Sequence, residues 1–404
     1  MLISLAWKNV WRNKKRSFII LTAIALGLWA GLFSYAAMYG MWDATVNSAI
    51  DRDLGHIEIH SKAFAKEKLI ENYISDGNQI EAEAKKVKGV KEISSRTLIE
   101  GMASSAATSW GVTIEGINPT KEQKVTSIKD LIISGNYFEG KRKNQIVISQ
   151  KLADKLGIKL KSKMVLSFQA LDGSLIYAAF RVVGIFRTES SIFDASHVFV
   201  TQKDIYKVMG SKPIVHEIAI RAASSLAVDG LLNNLKQRFP NLDVQSWKTL
   251  APELSLTYNS LQLEMNIFLG IILFALLFGI TNTMLMSVMD RIRELGVLMA
   301  VGMKRVRLFT LIIIETILLS ITGGIIGIIM GTITTIYFSS KGIDLSLFAE
   351  GLSSFGIGTM LYPSLPASAY PTLTIMILVT AIFSAVYPAL KAIRLNPSEA
   401  IRTY

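Results

Sequence analysis

The chain has 404 residues, half of them hydrophobic, with no cysteine and a net charge of +12 from 43 Lys and Arg against 31 Asp and Glu. The missing cysteines exclude disulfide staples and thiolate chemistry. The basic excess gathers beside long apolar runs, where anionic head groups account for it, so no nucleic-acid partner is expected.

In chain order, Leu5, Trp7, Val10 and Trp11 are mixed with Lys8, Arg12 and Lys15. This predicts a short helix in a membrane interface, with indoles at head-group depth and cations reaching outward. The apolar run Phe18–Met41 follows. It exceeds the core of about 7–15 residues of a cleaved signal and predicts a retained span.

From Trp42 to Glu264 the pattern turns polar and mixed. Strand periodicity marks His56–His60, Ser94–Thr97, Val112–Gly116, Gln145–Ile148, Met164–Phe168, Leu175–Phe186, His197–Val200 and Val215–Arg221; helical periodicity marks Gln79–Lys88, Gln150–Leu156, Lys203–Met209 and Ser225–Phe239. Asp172-Gly173 between apolar stretches predicts a hairpin turn. The mixture predicts an α+β domain of two subdomains, one inserted in the other. Gly135–Arg142 nearly spells a phosphate-binding loop, but Arg142 stands where a Ser or Thr would hold magnesium, so nucleotide binding is not expected there. His56, Glu58 and His60 share one strand face. The two imidazoles start about 13 Å apart, too far to share a metal easily, so a solvated face and no metal site are expected.

Pro252 suits a first helical turn, and Leu254, Tyr258, Leu261 and Met265 continue at helical spacing into the second apolar run, Ile267–Met289, predicting one uninterrupted helix. Asp290–Arg307 then predicts a short amphipathic rod: Ile292, Leu295, Leu298 and Met299 bury one face, Arg291, Arg293 and Glu294 point elsewhere, and Gly302 stops it. The third run, Leu308–Phe338, contains Glu315, an expensive ion at that depth, for which Asn282 or a nearby cation is the expected partner. Gly323, Gly327 and Gly331 recur every fourth residue, as do Gly27 and Gly31, and predict close helix approach within one protomer or between two. Leu373–Ala392 is the fourth run.

Basic residues cluster before the first run, between runs two and three, and after run four (Lys391, Arg394 and Arg402). The positive-inside rule puts both termini and the 290–307 segment in the cytoplasm and the 42–264 domain outside. The expected fold is a membrane α-helical protein of four transmembrane helices with a large inserted α+β extracytoplasmic domain. Its segments are 1–41, 42–264 and 265–404. No GxSxG or HExxH motif is present, so no catalytic residue is expected.

Leu5–Gly27, Asn282–Gly331 and Tyr387–Arg402 resemble the opening, core and closing motifs of the MacB/FtsX superfamily of ABC transporters, and Gly135–Leu160 resembles its periplasmic domain. The GHIEIH element and Phe193–Val200 lean toward the lipoprotein-releasing, Lol-type branch. The resemblance implies that Arg291–Ala300 is the helix coupled to an ATPase, with Arg291, Arg293, Glu294, Leu295, Gly296 and Gly302 as contact residues. It implies a second contact through Pro388, Arg394 and Pro397. No ATPase domain accompanies these motifs, which implies a separate ABC ATPase dimer that holds ATP and magnesium, beside a second, identical or homologous, permease protomer. Lipoprotein acyl chains would shelter between Tyr35, Tyr39 and Trp42 and, on the second protomer, Ile267, Phe268 and Ile271; the aromatics read alone form an interfacial belt. The Asp172-Gly173 turn is short for the hook that docks a periplasmic chaperone. Alternatives are efflux of drugs or peptides, mechanical signalling to cell-wall hydrolases and, from another class, a membrane sensor.

Overall fold

A computed structural model describes residues 2–12, 14–138, 143–224 and 227–394. The end of the Gly135–Arg142 motif, the first residues of the expected 225–239 helix, and Pro397 lie outside the described residues. The elements in chain order are α1 (Leu2–Arg12), α2 (Lys14–Ala49, continued by a π-turn at Ile50–Leu54), β1 (Ile57–Ser61), α3 (Gly77–Ala84), β2 (Val90–Ser104), β3 (Ser109–Ile117), α4 (Pro119–Val125), β4 (Ile132–Gly135), β5 (Gln145–Ser149), α5 (Gln150–Leu156), β6 (Lys163–Gln169), β7 (Leu175–Phe186), α6 (Ser191–Ser196) and β8 (His197–Thr201). They continue with α7 (Gln202–Met209), β9 (Glu217–Ala222), α8 (Val228–Arg238), β10 (Leu242–Ser246), α9 (Trp247–Leu250), α10 (Pro252–Asp290), α11 (Ile292–Ala300), α12 (Arg305–Lys341), β11 (Ile343–Asp344), α13 (Ala349–Ser354), β12 (Met360–Leu361) and α14 (Ala369–Ile393). Four of them, α2, α10, α12 and α14, are long and apolar enough to cross a membrane.

Two compact units result. The helical unit comprises Met1–Met41, Asn259–Asp344 and Met360–Tyr404; the other comprises Trp42–Tyr258 and Leu345–Thr359. The second unit therefore includes chain from between α12 and α14, which the boundary at 264/265 does not assign to it. There the Ser191 and Ser353 hydroxyls meet at 3.1 Å.

In the helical unit the small residues decide the packing. A Cβ on Gly327 would stand 2.8 Å from the Ala25 carbonyl oxygen, and Gly323 and Gly331 receive Ile24 and Leu32 of α2. Gly27 and Gly31 in turn receive Leu276 and Ile272 of α10. Both glycine rows thus serve packing within one chain. Pro388 lies inside α14, and because it has no N–H the Ser384 carbonyl loses its helical partner. Thr281 of α10 donates its hydroxyl to that carbonyl at 3.1 Å, which satisfies it from the neighbouring helix.

The α+β unit is built on one ten-stranded mixed sheet, ordered β10-β1-β9-β2-β3-β8-β5-β7-β4, with β6 pairing β2 and β7. Two of its apolar cores mark the two subdomains. One joins β1, β9, β10, α3 and α8 around Ile59, Ile218 and Leu235; the other joins β3, β5 to β8, α5 and α7 around Ile148, Phe180 and Val198. The 15-residue β2 serves both, pairing β9 through Val90–Arg96 and β6 through Gly101–Ser104. Chain from before and after the middle segment makes the first core, so the second is an insertion in it. The β6–β7 hairpin closes at Gln169↔Leu175, with Gly173 at φ +80° in the turn. One expectation fails here: His56, Glu58 and His60 are 8%, 4% and 7% exposed, a buried face rather than a solvated one. The sheet continues past β1 on both sides, and Phe64 stacks on His60 with ring centroids 5.7 Å apart.

Candidate coupling site

The corner between α10 and α12 grows from a few local choices. Arg291 (φ −112°, ψ 15°) leaves helical geometry and ends α10; Gly302 at φ +100° ends the turn after α11, a conformation that strains any side-chain-bearing residue. Between them α11 buries Leu295 and Gly296, with Leu298 and Met299 packed against the same apolar core. Arg293, Val297 (46% exposed) and Val301 (83% exposed) face away. Beside α11, Leu2, Ile3, Leu298, Val301, Met303 and Ile314 line an apolar groove of about 820 Å³.

A chain of four ions braces this corner. Arg12 of α1 donates to Glu294, Arg291 Nε donates to Glu294 Oε2 at 3.1 Å, and Arg291 Nη1 donates to both Glu315 oxygens at 3.1 and 3.2 Å. Arg291 and Glu315 side chains are 13% and 3% exposed, so this pair is shielded from water. At Glu294 partial burial favours the neutral acid, but the hydrogen bonds from Arg12 and Arg291 outweigh it and hold the carboxyl below its ordinary pKa. Glu315 therefore finds the expected cation, and it is Arg291. That residue does not point away from the helices as the rod pattern predicted, because pairing with Glu315 returns more than exposure would at this depth. Sequence reasoning took Arg12 for an interfacial cation reaching outward and missed its pairing with Glu294, which lies 282 positions away.

The other expected contact residues divide. Glu294 is half-exposed, Arg293 and Gly302 are exposed, and Arg394 is exposed at the end of α14. Leu295, Gly296 and Pro388 are buried inside the helical unit, where they position the surface and do not form it. Of the expected shelter residues, Tyr35 is 2% exposed and stacked on Tyr39 with centroids 6.4 Å apart. Trp42 begins the α+β unit. Ile267 and Ile271 are 56% and 64% exposed, and with Phe268, Phe274 and Phe278 they make α10 apolar outward.

Residues 17–238 match the MacB-like periplasmic core domain family, which alone is more than half of the chain, and residues 266–397 match the FtsX-like permease C-terminal family. The chain belongs to the MacB/FtsX superfamily of ABC-transporter permeases. Among curated relatives of this MacB/FtsX permease, the lipoprotein-releasing system transmembrane protein LolE of Haemophilus influenzae is 20% identical over 427 residues, covering 99% of both chains. The macrolide export ATP-binding/permease protein MacB of Chlorobium luteolum is 26% identical over 238 residues, 55% of this chain and 33% of that protein. The permease thus spans about a third of the length of the MacB relatives it matches. Among solved structures, the periplasmic region of MacB from Actinobacillus actinomycetemcomitans aligns with TM-score 0.35 at 12% identity over 50% of this chain and 92% of that one.

Proposed function

We propose that this permease is the membrane subunit through which a separate ABC ATPase, holding ATP and magnesium, drives the release of lipid-anchored proteins from a bacterial inner membrane. The observation that carries the motor half of this reading is the α10–α11–α12 corner: a short helix fixed from below by four alternating charges, offering Arg293, Val297 and Val301 outward beside an apolar groove. Such a corner transmits a push, because it moves only with the spans to which it is tied. The basic clusters favour both termini and this corner in the cytoplasm and the α+β unit outside.

The cargo half rests on chemistry and coverage. Drawing an acyl chain out of a bilayer exposes it to water at about 0.8 kcal/mol per CH₂, which calls for ATP-driven work and an apolar shelter. The outward stripe Ile267, Ile271, Phe274 and Phe278 would supply that shelter against a second permease protomer. Alignment with LolE over 99% of both chains supports this cargo; the MacB similarity supports a second reading, efflux of drugs or peptides. The β6–β7 loop, residues 170–174, gives little for a periplasmic chaperone to grip, so direct docking of one is not part of the proposal. Depletion of the permease should leave lipoproteins in the inner membrane, and a photo-crosslinker at Phe268 should capture them. Normal lipoprotein sorting with altered drug or peptide sensitivity would replace this reading by efflux.

A further inference from the structure

One face of five adjacent strands in the α+β unit carries a row of ionisable groups. On β1 and β9, His60 stands directly opposite Glu217, with Glu58 two residues away on the same face; Glu217 is opposite Arg96 of β2. Leu98, two residues beyond Arg96, is opposite Glu115 of β3, and His197 of β8 is opposite Thr113, two residues before Glu115. The sheet register, not any sequence motif, assembles His60, Glu217, Arg96, Glu115 and His197 across one face.

The charges on this face do not balance. Glu58, Glu115, Glu122 and Glu217 are 5% exposed or less, and they outnumber the buried groups able to carry positive charge beside them, Arg96 and, when protonated, His60. Arg96 is already engaged, with Glu217 at 2.6 Å, Glu122 at 2.7 Å and Asp53 at 3.3 Å. Glu115 is 1% exposed, and neither of its oxygens has a hydrogen-bond partner among the described residues; Nε2 of His197 stands 4.0 Å away. Glu58, Glu115, Glu217 and His197 line one cavity of about 150 Å³, room for an ion and a few waters, with the exposed Lys68 also on its wall.

The imidazole of His60 is set for coordination. Its Nδ1 lies 3.3 Å from the His216 carbonyl oxygen, which can only accept, so Nδ1 carries a proton; Nε2 shares a hydrogen bond with Glu58 Oε2 at 2.9 Å, whose proton a bound ion would replace. Metal-bound histidines characteristically donate their second ring N–H in this way. One ligand atom each from Glu58, His60 and Glu217 lie within 4.8 Å of one another. Ligands bound at about 2.0–2.2 Å stand roughly 3–4.4 Å apart, so the gathering is close to a coordination sphere.

We propose that Glu58, His60 and Glu217 bind a divalent transition-metal ion, with Glu115 as a further anionic group on the cavity that Glu58 and Glu217 line. An imidazole among carboxylates suits zinc or manganese and disfavours the all-oxygen shells of calcium and magnesium. The ion would lock β1 to β9 and offset the buried negative charge. The test uses the full chain in detergent, without a polyhistidine tag, stripped by chelator, dialysed and titrated with Zn²⁺, Mn²⁺ or Ca²⁺, with bound metal and the melting midpoint measured. About one zinc or manganese per chain should be retained, with the midpoint raised by several degrees. His60→Asn and Glu217→Gln should bind at least tenfold more weakly, and Asp172→Asn, on the exposed hairpin, as the native chain does. Failure of the native chain to retain zinc or manganese, or an unchanged midpoint, overturns the site and leaves protons to balance the carboxylates; binding of calcium alone overturns the ion class. Should the ligand variants fail to fold, the titration of the native chain still decides.

Discussion

The two units arrange their ions in opposite ways. In the helical unit Arg12, Glu294, Arg291 and Glu315 alternate in sign, and the innermost carboxylate is held by two hydrogen bonds from one guanidinium. In the α+β unit one guanidinium, Arg96, gathers three carboxylates while Glu58 and Glu115 stand near it on the same sheet face. The first arrangement is complete in itself and fixes the position of a corner. The second is anion-rich, and an anion-rich interior needs protons or a metal ion to persist. Balanced charge is thus a bracing device, and unbalanced buried charge calls for protons or a bound ion.

The largest effect should come from breaking the hub of the unbalanced cluster. Arg96→Met leaves Glu122, Glu217 and Asp53 without their shared cation, and removal of one partner from a buried pair already costs about 3–5 kcal/mol. The α+β unit should become protease-sensitive at ambient temperature; a native-like melt of this variant would show that the cluster is neutral without its guanidinium. The balanced chain should be hurt less and be repairable. Arg291→Met takes the guanidinium away from Glu315 and should lower stability by about 3 kcal/mol, whereas Arg291→Met with Glu315→Gln should regain most of it. A double variant as unstable as the single one would mean that the pair does not act as a unit.

A smaller effect tests polar satisfaction between the spans. Thr281→Val removes the donor to the Ser384 carbonyl and should cost about 1 kcal/mol in thermal melts. In a Pro388→Ala background the helix supplies its own N–H, so the same substitution should cost markedly less. Equal losses in both backgrounds would show that the Thr281 hydroxyl does not serve the carbonyl that Pro388 orphans.

How much of this was legible in the sequence follows from the range of the interactions. Four spans declare themselves because each is a long local run, and Leu175–Phe186 and Gln150–Leu156 were bounded as observed because alternation and helical spacing are local too. The strand Ile132–Gly135 was missed since it is four residues long at the sheet edge, and Leu242–Ser246 since a five-residue alternation is weak. The short helix Pro119–Val125 did carry a signal, Asn118 capping it before a proline at its first position. What no local pattern reveals is register: Glu217 meets His60 because β9 lies antiparallel to β1, whereas the spacing of His56 from His60, which argued against a shared metal, says nothing of β9. The glycine rows announced close packing but not its partner, which the structure places within the chain.

The smallest change in stability should accompany the most specific loss of activity. Glu294 is 48% exposed, and its pairs with Arg12 and Arg291 lie where water screens them, so each is worth about 0–1 kcal/mol. Glu294→Lys should therefore leave expression, membrane insertion and the melting midpoint nearly native. It also places a third cation beside Arg12 and Arg291, and like charges at a transient interface cost a few kcal/mol. If α11 docks a motor, ATPase activity of the reconstituted complex should lose its dependence on this permease while Arg12→Met, which removes a brace without reversing the surface charge, keeps most of it. Coupled activity in Glu294→Lys at normal expression would separate the braced corner from the motor contact and leave α11 a structural elbow. Leu295→Asp cannot make this distinction, because Leu295 is 3% exposed and its substitution tests packing instead.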